Sequence, residues 1–315
     1  MYEQIARNKR RSAGYVGVFV VLWLGIGLVV GWIAALSPAR QPGVSAPVIP
    51  DITTGVLVAA LLALGAVAYT LTSGTRLVLA VAGARPADPQ RYPQLYNLVE
   101  ALAIGDGIAM PAVYVVEDRS PNAFATGISP SKAAVTVTTG LLAVMDREEL
   151  EGVLGHEISH IKNYDTRLLL IVTTLLGMAG LLASLIWRSA FFMRGGRGRN
   201  NNQFAMLLLL AGALLAVVGL VVGPIIRLAL SRRRESLADA SSVELTRNPV
   251  GLIRALKTLQ TNDVPLVKAN HATAAMCIDD PLQHHESRIH RLFDTHPPIA
   301  ERIAALERMA QGSTV

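Results

Sequence analysis

Four long apolar runs constrain this chain more than any other feature of its sequence. Each run is uncharged and at least 20 residues long, and they cover residues 12–39, 52–75, 168–187 and 204–226. A helix needs about 20 apolar residues to cross the hydrocarbon of a bilayer. With 51% hydrophobic and only 17% charged residues, the chain as a whole is also too apolar for an ordinary soluble enzyme. The sequence therefore predicts about four transmembrane helices and a lipid bilayer around them.

Basic residues beside the apolar runs predict how the first two runs are oriented. Segment 7–11 is basic at every position but one, whereas Arg40 is the only basic residue of the loop 37–51. Because cytoplasmic flanks are rich in Lys and Arg, we expect the N-terminus in the cytoplasm and the second run returning there. Anchoring at the membrane surface also accounts for the net charge of +6, so no nucleic-acid partner is predicted. We expect a multi-pass protein of the cell (plasma or inner) membrane.

The third and fourth runs leave their topology open. Residues 188–199 between them contain four arginines. If both runs cross the bilayer, these arginines lie outside, against the usual charge bias. Either the bias is overridden or the two runs form a buried or re-entrant hairpin, and the sequence does not decide between these alternatives.

A His-Glu-x-x-His motif lies between the second and third runs. Asp146 and Glu149 form a capping-box pattern, and apolar residues then recur at helical spacing, so the motif is predicted on a helix. Positions four apart share one face of a helix, so His156 and His160 point the same way and can bind one ion. Imidazole nitrogens suit Zn²⁺, and Glu157 lies close enough to take a proton from a water that the ion activates.

A third zinc ligand is expected after the last apolar run, because catalytic zinc usually has three protein ligands. Glu235 is the candidate, on a predicted helix where Asp239 falls one turn further along the same face. An aspartate in that position can hold a ligating imidazole from behind. The alternative is that both are solvated helix charges that pair with neighbouring arginines.

Four sequence segments carry a resemblance to a known family. They are PNAFATG at 121–127, HEISHIKNYD at 156–165, SRRRESLADA at 231–240 and THPPIAERI at 295–303. Together with the four apolar runs in the same order, they resemble the HtpX branch of the family that also holds the CAAX prenyl proteases. The resemblance covers nearly the whole chain.

This resemblance implies one Zn²⁺ per chain, bound by His156, His160 and Glu235. It implies that Glu157 is the general base and that Asp239 supports the ligands from behind. The implied fold is α+β, a zincin-like metallopeptidase domain split by a hydrophobic helical hairpin, on a base of about four transmembrane helices.

The same resemblance implies that His296 stabilises the oxyanion and that Arg302 supports this part of the catalytic site. From the residues alone, His296 can equally be a helix-entry residue beside two prolines, and Arg302 a surface arginine.

Three strands are predicted in the first soluble segment, over residues 113–116, 122–127 and 133–139. The second of them provides a candidate substrate site, formed by Asn122, Ala123, Phe124 and Ala125. A strand of this kind can pair with the backbone of a substrate by strand addition, which gives affinity with little side-chain selectivity.

The sequence divides into four segments. Residues 1–75 are an N-terminal tail and transmembrane hairpin, and 76–165 are the first half of the catalytic domain. Residues 166–230 are the second hydrophobic hairpin, and 231–315 are the second half of the catalytic domain with the third ligand. All three ligands must reach one ion, so both catalytic halves are expected to face the cytoplasm.

The resulting hypothesis is a membrane-anchored zinc endopeptidase. By resemblance, its protein substrates are misfolded or damaged membrane proteins, in stress-response quality control. One alternative is an intramembrane zinc protease, although charges flank the motif closely and are costly at bilayer depth. Another is a membrane scaffold or pseudoprotease with structural zinc, although a structural site needs no base at Glu157. The sequence does not indicate the oligomeric state.

Overall fold

The computed structural model describes residues 2–35, 49–194, 209, 212–214, 232–261 and 298–312. Its helices are α1 (Tyr2–Ala35), α2 (Ile49–Val81), α3 (Pro93–Gly105), α4 (Thr139–Val144), α5 (Arg147–Lys162), α6 (Asp165–Arg194), α7 (Arg232–Thr246), α8 (Pro249–Thr261) and α9 (Ile299–Gly312). Its strands are β1 (Arg85–Pro86), β2 (Ala112–Val116), β3 (Ala123–Gly127) and β4 (Ala133–Thr138), and a short 3₁₀ turn covers Pro130–Lys132.

Three helices in the described residues are long and apolar enough to cross a membrane. The candidate spans are Glu3–Trp32 in α1, Ile52–Val81 in α2 and Asp165–Arg188 in α6. The helical prediction for the first three apolar runs is therefore confirmed over their described residues. The fourth run, 204–226, lies outside the described residues except at 209 and 212–214.

The chain divides into two compact units. The first comprises Met1–Ser12, Ser73–Thr173 and Ile226–Val315, and the second comprises Ala13–Thr72 and Thr174–Ile225. The first unit thus joins sequence from before and after the third and fourth apolar runs. It also includes the first residues of α1.

In the second unit, α1 and α2 approach each other at glycines. A Cβ atom added to Gly27 would lie 2.5 Å from the carbonyl oxygen of Gly55, and one added to Gly55 would lie 3.0 Å from the Cα of Gly31. These distances leave no room for a side chain. Small residues in membrane helices permit this close backbone approach, which gains van der Waals contact between the helices.

The first unit contains a four-stranded sheet in the order β1-β2-β4-β3. Strands β2 and β4 are parallel, while β3 is antiparallel to β4 and β1 to β2. The predicted strands are confirmed to within one residue at their ends, but the sequence did not predict α4 or β1. Helix α4 begins at an N-cap, Thr138, whose hydroxyl accepts a hydrogen bond from the Leu141 amide at 3.1 Å.

Helix α5 runs through the main core of the first unit. Its predicted capping box is confirmed: the Asp146 side chain accepts from the Glu149 amide, and the Glu149 carboxylate accepts from the Asp146 amide. Apolar residues at helical spacing are buried along α5: Leu150, Val153, Leu154, Ile158 and Ile161. They belong to one cluster of buried residues with side chains of β2, β3, β4, α3 and α8.

Two glycines let other helices lie close to α5. A Cβ at Gly152 would lie 2.8 Å from the backbone nitrogen of Leu252 in α8, and one at Gly155 would lie 2.8 Å from Ser242 Oγ in α7. The Ser242 hydroxyl donates to the Gly152 carbonyl at 2.8 Å. Helix α7 is thereby held directly against the helix that carries the His-Glu-x-x-His motif.

Candidate metal centre

Three predicted ligands converge where α5 and α7 meet. The Nε2 atoms of His156 and His160 lie 3.1 Å apart. Glu235, in the first turn of α7, places Oε2 3.6 Å from His156 Nε2 and Oε1 3.8 Å from His160 Nε2. Within the described residues, these three side chains form the group that could hold a metal ion.

The spacing of these atoms fits a zinc ion. Ligands about 2.0–2.1 Å from a tetrahedral Zn²⁺ are about 3.3–3.4 Å from one another. The observed separations of 3.1, 3.6 and 3.8 Å lie close to that value. Two imidazoles and one carboxylate are also the donor set of many catalytic zinc sites. The residues present therefore fit the metal that the sequence predicts.

Behind His156 lies the carboxylate of Asp239. Its Oδ1 is 2.9 Å from His156 Nδ1, so Nδ1 carries the proton toward Asp239 and Nε2 is left to face Glu235. Burial lowers the pKa of His156, but the carboxylates of Asp239 and Glu235 outweigh burial and raise that pKa to about 9. In the metal-free protein, His156 therefore holds an extra proton at neutral pH.

Arg302 reaches the site through Asp239. Its Nη2 donates to Asp239 Oδ1 at 2.7 Å and its Nε donates to Oδ2 at 3.0 Å. Burial raises the pKa of Asp239, but the charge of Arg302 outweighs burial and holds that pKa well below its usual range. Arg302 is 3% exposed, so its interpretation as a surface arginine is wrong. We predicted a catalytic role, and the structure places Arg302 in contact with the carboxylate that holds His156.

The solvated-charge interpretation of the third ligand is also wrong. Glu235 is 2% exposed and Asp239 is 3% exposed. Glu157, the predicted base, is 2% exposed and lies on α5 directly after His156. These acids lie where α7 packs against α5 and where Arg302 of α9 bonds Asp239.

His160 has a carboxylate partner that the sequence analysis did not assign. Asp165, the first residue of α6, places Oδ2 3.1 Å from His160 Nδ1. Asp165 is 2% exposed, and its Oδ1 lies 3.5 Å from Nη1 of the buried Arg234. The sequence signal was an acid five residues after the second histidine. The sequence analysis included that acid in segment 156–165, which carries the family resemblance, and among the charges that flank the motif, but it assigned the acid no role.

The predicted substrate strand forms one edge of the sheet. In the described part of the chain, β3 pairs with β4 and with no second strand. Its residues and the preceding Asn122 are nonetheless buried. The Asn122 side chain accepts a hydrogen bond from the Ala123 amide at 2.8 Å. His296, the predicted oxyanion residue, lies outside the described residues.

Comparison with known proteins identifies the family. The sequence profile of Peptidase family M48 matches residues 89–310, more than half of the chain. The chain belongs to peptidase family M48. The resemblance predicted from the sequence is therefore confirmed, and the described ligand cluster lies inside the matched region.

Relatives of this M48 peptidase match it over their whole length. The Protease HtpX homolog of Streptococcus gordonii is 40% identical and that of Streptococcus thermophilus 41% identical, each over 98% of this chain and 100% of the relative. The Lactobacillus helveticus homolog is 38% identical with the same coverage. Among solved structures, the chain matches S. mikatae Ste24p with a TM-score of 0.47 and 18% identity, over 97% of this chain and 67% of that one.

Proposed function

We propose that this M48 peptidase is a membrane-anchored, zinc-dependent endopeptidase with one Zn²⁺ per chain. The observation that carries the proposal is the approach of His156, His160 and Glu235 to within ligand distance of one another. Helices long enough to span a bilayer flank this domain in sequence, which supports membrane anchoring.

The residues around the ligands take distinct roles in this proposal. When bound, Zn²⁺ supplies a Lewis acid that polarises a peptide carbonyl and acidifies water. Glu157 takes the proton of the attacking water and returns it to the departing amine nitrogen. Asp239, held by Arg302, fixes His156 in the tautomer that leaves Nε2 free. We propose that His296 donates a hydrogen bond to the oxyanion, as the family resemblance implies.

The substrates we propose are misfolded or damaged membrane proteins, cleaved in stress-response quality control at the cytoplasmic face of the cell membrane. We propose that a substrate docks on the edge of β3. This strand pairs with β4 along one side, and it lies in the same compact unit as α5, which carries the two candidate histidine ligands. Main-chain pairing depends on the backbone of the substrate rather than on its side chains, so cleavage should tolerate many substrate sequences.

The decisive experiment separates metal binding from catalysis. Full-length protein is purified in detergent, its zinc content is measured, and its cleavage of casein is compared with that of Glu157→Gln. The variant should keep about one zinc and lose at least about 100-fold in activity, because removing a general base costs about 10²–10⁴-fold. Glu151→Gln, on the same helix but outside the motif, is the matched control. Near wild-type cleavage by Glu157→Gln would refute the proposed mechanism.

The two alternatives predict different outcomes. A pseudoprotease or scaffold with structural zinc would retain metal and cleave nothing, even as the wild-type chain. An intramembrane protease would carry its motif in a spanning helix, but α5 is not among the candidate spans found in the described residues. Its charged ends, with Glu148 and Glu149 in the first turn and Lys162 in the last, also favour a helix outside the hydrocarbon.

A further inference from the structure

Asn8, near the start of α1, is fully buried although the residues after it in segment 9–11 are basic. Its side-chain nitrogen donates two hydrogen bonds, to Asp165 Oδ1 at 2.7 Å and to the Asn163 carbonyl at 2.8 Å. Both partners are acceptors, so the orientation of the amide is fixed by its contacts. The role proposed above for the zinc site does not use this residue.

These bonds connect the N-terminal segment to a zinc ligand. Asp165 accepts a hydrogen bond from Asn8 on Oδ1, and its Oδ2 lies 3.1 Å from His160 Nδ1. The competing cation, Arg234, is 3.5 Å from Oδ1. A buried carboxylate oxygen without a hydrogen-bond donor is costly, so a donor at 2.7 Å from Oδ1 favours one orientation of the side chain. Asn8 therefore supplies the short bond that sets which way Asp165 points.

A second contact of the N-terminal segment lies on the same turn. The Lys9 ammonium lies 4.3 Å from the centre of the Tyr164 ring. Tyr164 has a φ of 59°, in the left-handed region that bulky residues rarely adopt. Surrounding contacts must hold such a residue in place. Asn8 and Lys9 of α1 thus both contact the turn between α5 and α6, which immediately precedes Asp165.

We propose that Asn8 is a positioning residue of the metal centre. It orients Asp165, and Asp165 orients the His160 ring so that Nε2 faces the ion. The inference rests on the proposed zinc site. Its consequence is that residues preceding the first apolar run, 12–39, help to determine how tightly the zinc is held.

The test is the zinc dissociation constant of the full-length protein in detergent, measured by competition with a chromophoric chelator. All proteins carry Glu157→Gln so that they stay intact. Loss of a direct partner of a ligating histidine weakens metal binding about 10–100-fold. We expect that loss for Asp165→Asn, and a loss of about 3–10-fold for Asn8→Ala, which acts one bond further away. Asn8→Asp keeps the shape but replaces the donor with an acceptor, so its loss should be at least as large.

The matched control is Ser12→Ala, which removes another fully buried polar group of α1. The Ser12 hydroxyl bonds the Asn8 carbonyl at 2.8 Å, so this variant loses a buried hydrogen bond of the same helix segment. A second readout is the visible spectrum of the Co²⁺-saturated protein, which reports ligand orientation and does not respond to stability alone. The Asn8 variants should shift its bands, and Ser12→Ala should not.

Two results would overturn the inference. One is a zinc dissociation constant of both Asn8 variants that lies within twofold of the value for Ser12→Ala, together with Co²⁺ bands that do not shift. The other is loss of the fold in both variants without a selective effect on metal, which would make Asn8 a folding residue only. If the parent protein itself binds no zinc, the proposed function fails first, and that outcome is distinguishable from either of these.

Discussion

Asp239 Oδ1 lies 2.9 Å from Nδ1 of His156, whose other ring nitrogen faces Glu235. The Asp239→Asn variant keeps the shape of the side chain but removes its charge. Zinc affinity should fall about 10–100-fold, the usual effect of altering the carboxylate behind a ligating histidine. Chelator competition measures this, with the exposed Glu244→Gln on the same helix as the control. Equal affinities in the two variants would contradict the supporting role of Asp239.

Replacing Arg302 with methionine should lower the stability of the folded protein, although Arg302 is not itself a metal ligand. Both side chains of the Arg302–Asp239 pair are nearly inaccessible, at 2% and 4% exposure. Removing one partner of a buried ion pair costs about 3–5 kcal/mol when the other charge is left unpaired, and the cost here should lie at or below that range because His156 also contacts Asp239. Thermal unfolding of the metal-free protein measures the effect, and the exposed Arg308→Met on the same helix serves as the control. A melting temperature equal to that of the control would show that the pair contributes little.

Zinc binding should become tighter as pH rises from about 7 to about 9. Asp239 and Glu235 raise the pKa of His156 to about 9, so a proton must leave when the metal binds at neutral pH. Affinity should increase about tenfold per pH unit in this window and level off above it. Titrations at several pH values measure the slope. The slope should be shallower in Asp239→Asn, which loses the charge that holds the proton.

Gly152→Ala should destabilise the first unit by about 1–3 kcal/mol, the usual cost of overpacking a core. The added methyl would lie 2.8 Å from the backbone nitrogen of Leu252, and a backbone atom cannot move aside as a flexible side chain can. The control is Gly177→Ala in α6, where nothing lies within 4 Å of the added atom. That variant should be neutral or stabilised by up to about 1 kcal/mol, since alanine favours helix. Denaturant unfolding of both proteins compares the two.

The ligand cluster constrains the membrane topology of the chain. His156 and His160 precede the third apolar run and Glu235 follows the fourth, yet all three lie together, so the number of membrane crossings between them is even. Reporter fusions after Gly127 and after Gln311 should both give a cytoplasmic signal. A fusion after Gly43 should report the opposite side. Different signals from the first two fusions would exclude Glu235 as a ligand of the same ion.

The sequence by itself determined the features that depend on neighbouring residues. The capping box of Asp146 and Glu149 spans one helical turn, and the two histidines share a face because they are four positions apart. The apolar runs predicted helices, because a chain in hydrocarbon must satisfy its backbone internally. These signals located α5, three candidate spans and β2 to β4. The sequence indicated Glu235 only as a candidate, because Asp239 lies one turn further along the same predicted helix and because of the family resemblance.

Only the tertiary structure decided which distant groups meet. Arg302 bonds Asp239 across 63 residues, and Asn8 bonds Asp165 across 157. The sequence also did not predict that β2 and β4 are parallel neighbours. No local sequence pattern predicts these contacts, because the identity of a polar residue does not indicate whether its side chain faces water or a buried partner. Packing at Gly152 and Gly155 brings α7 and α8 against α5, and burial favours contacts that pair polar groups, such as the one between Arg302 and Asp239.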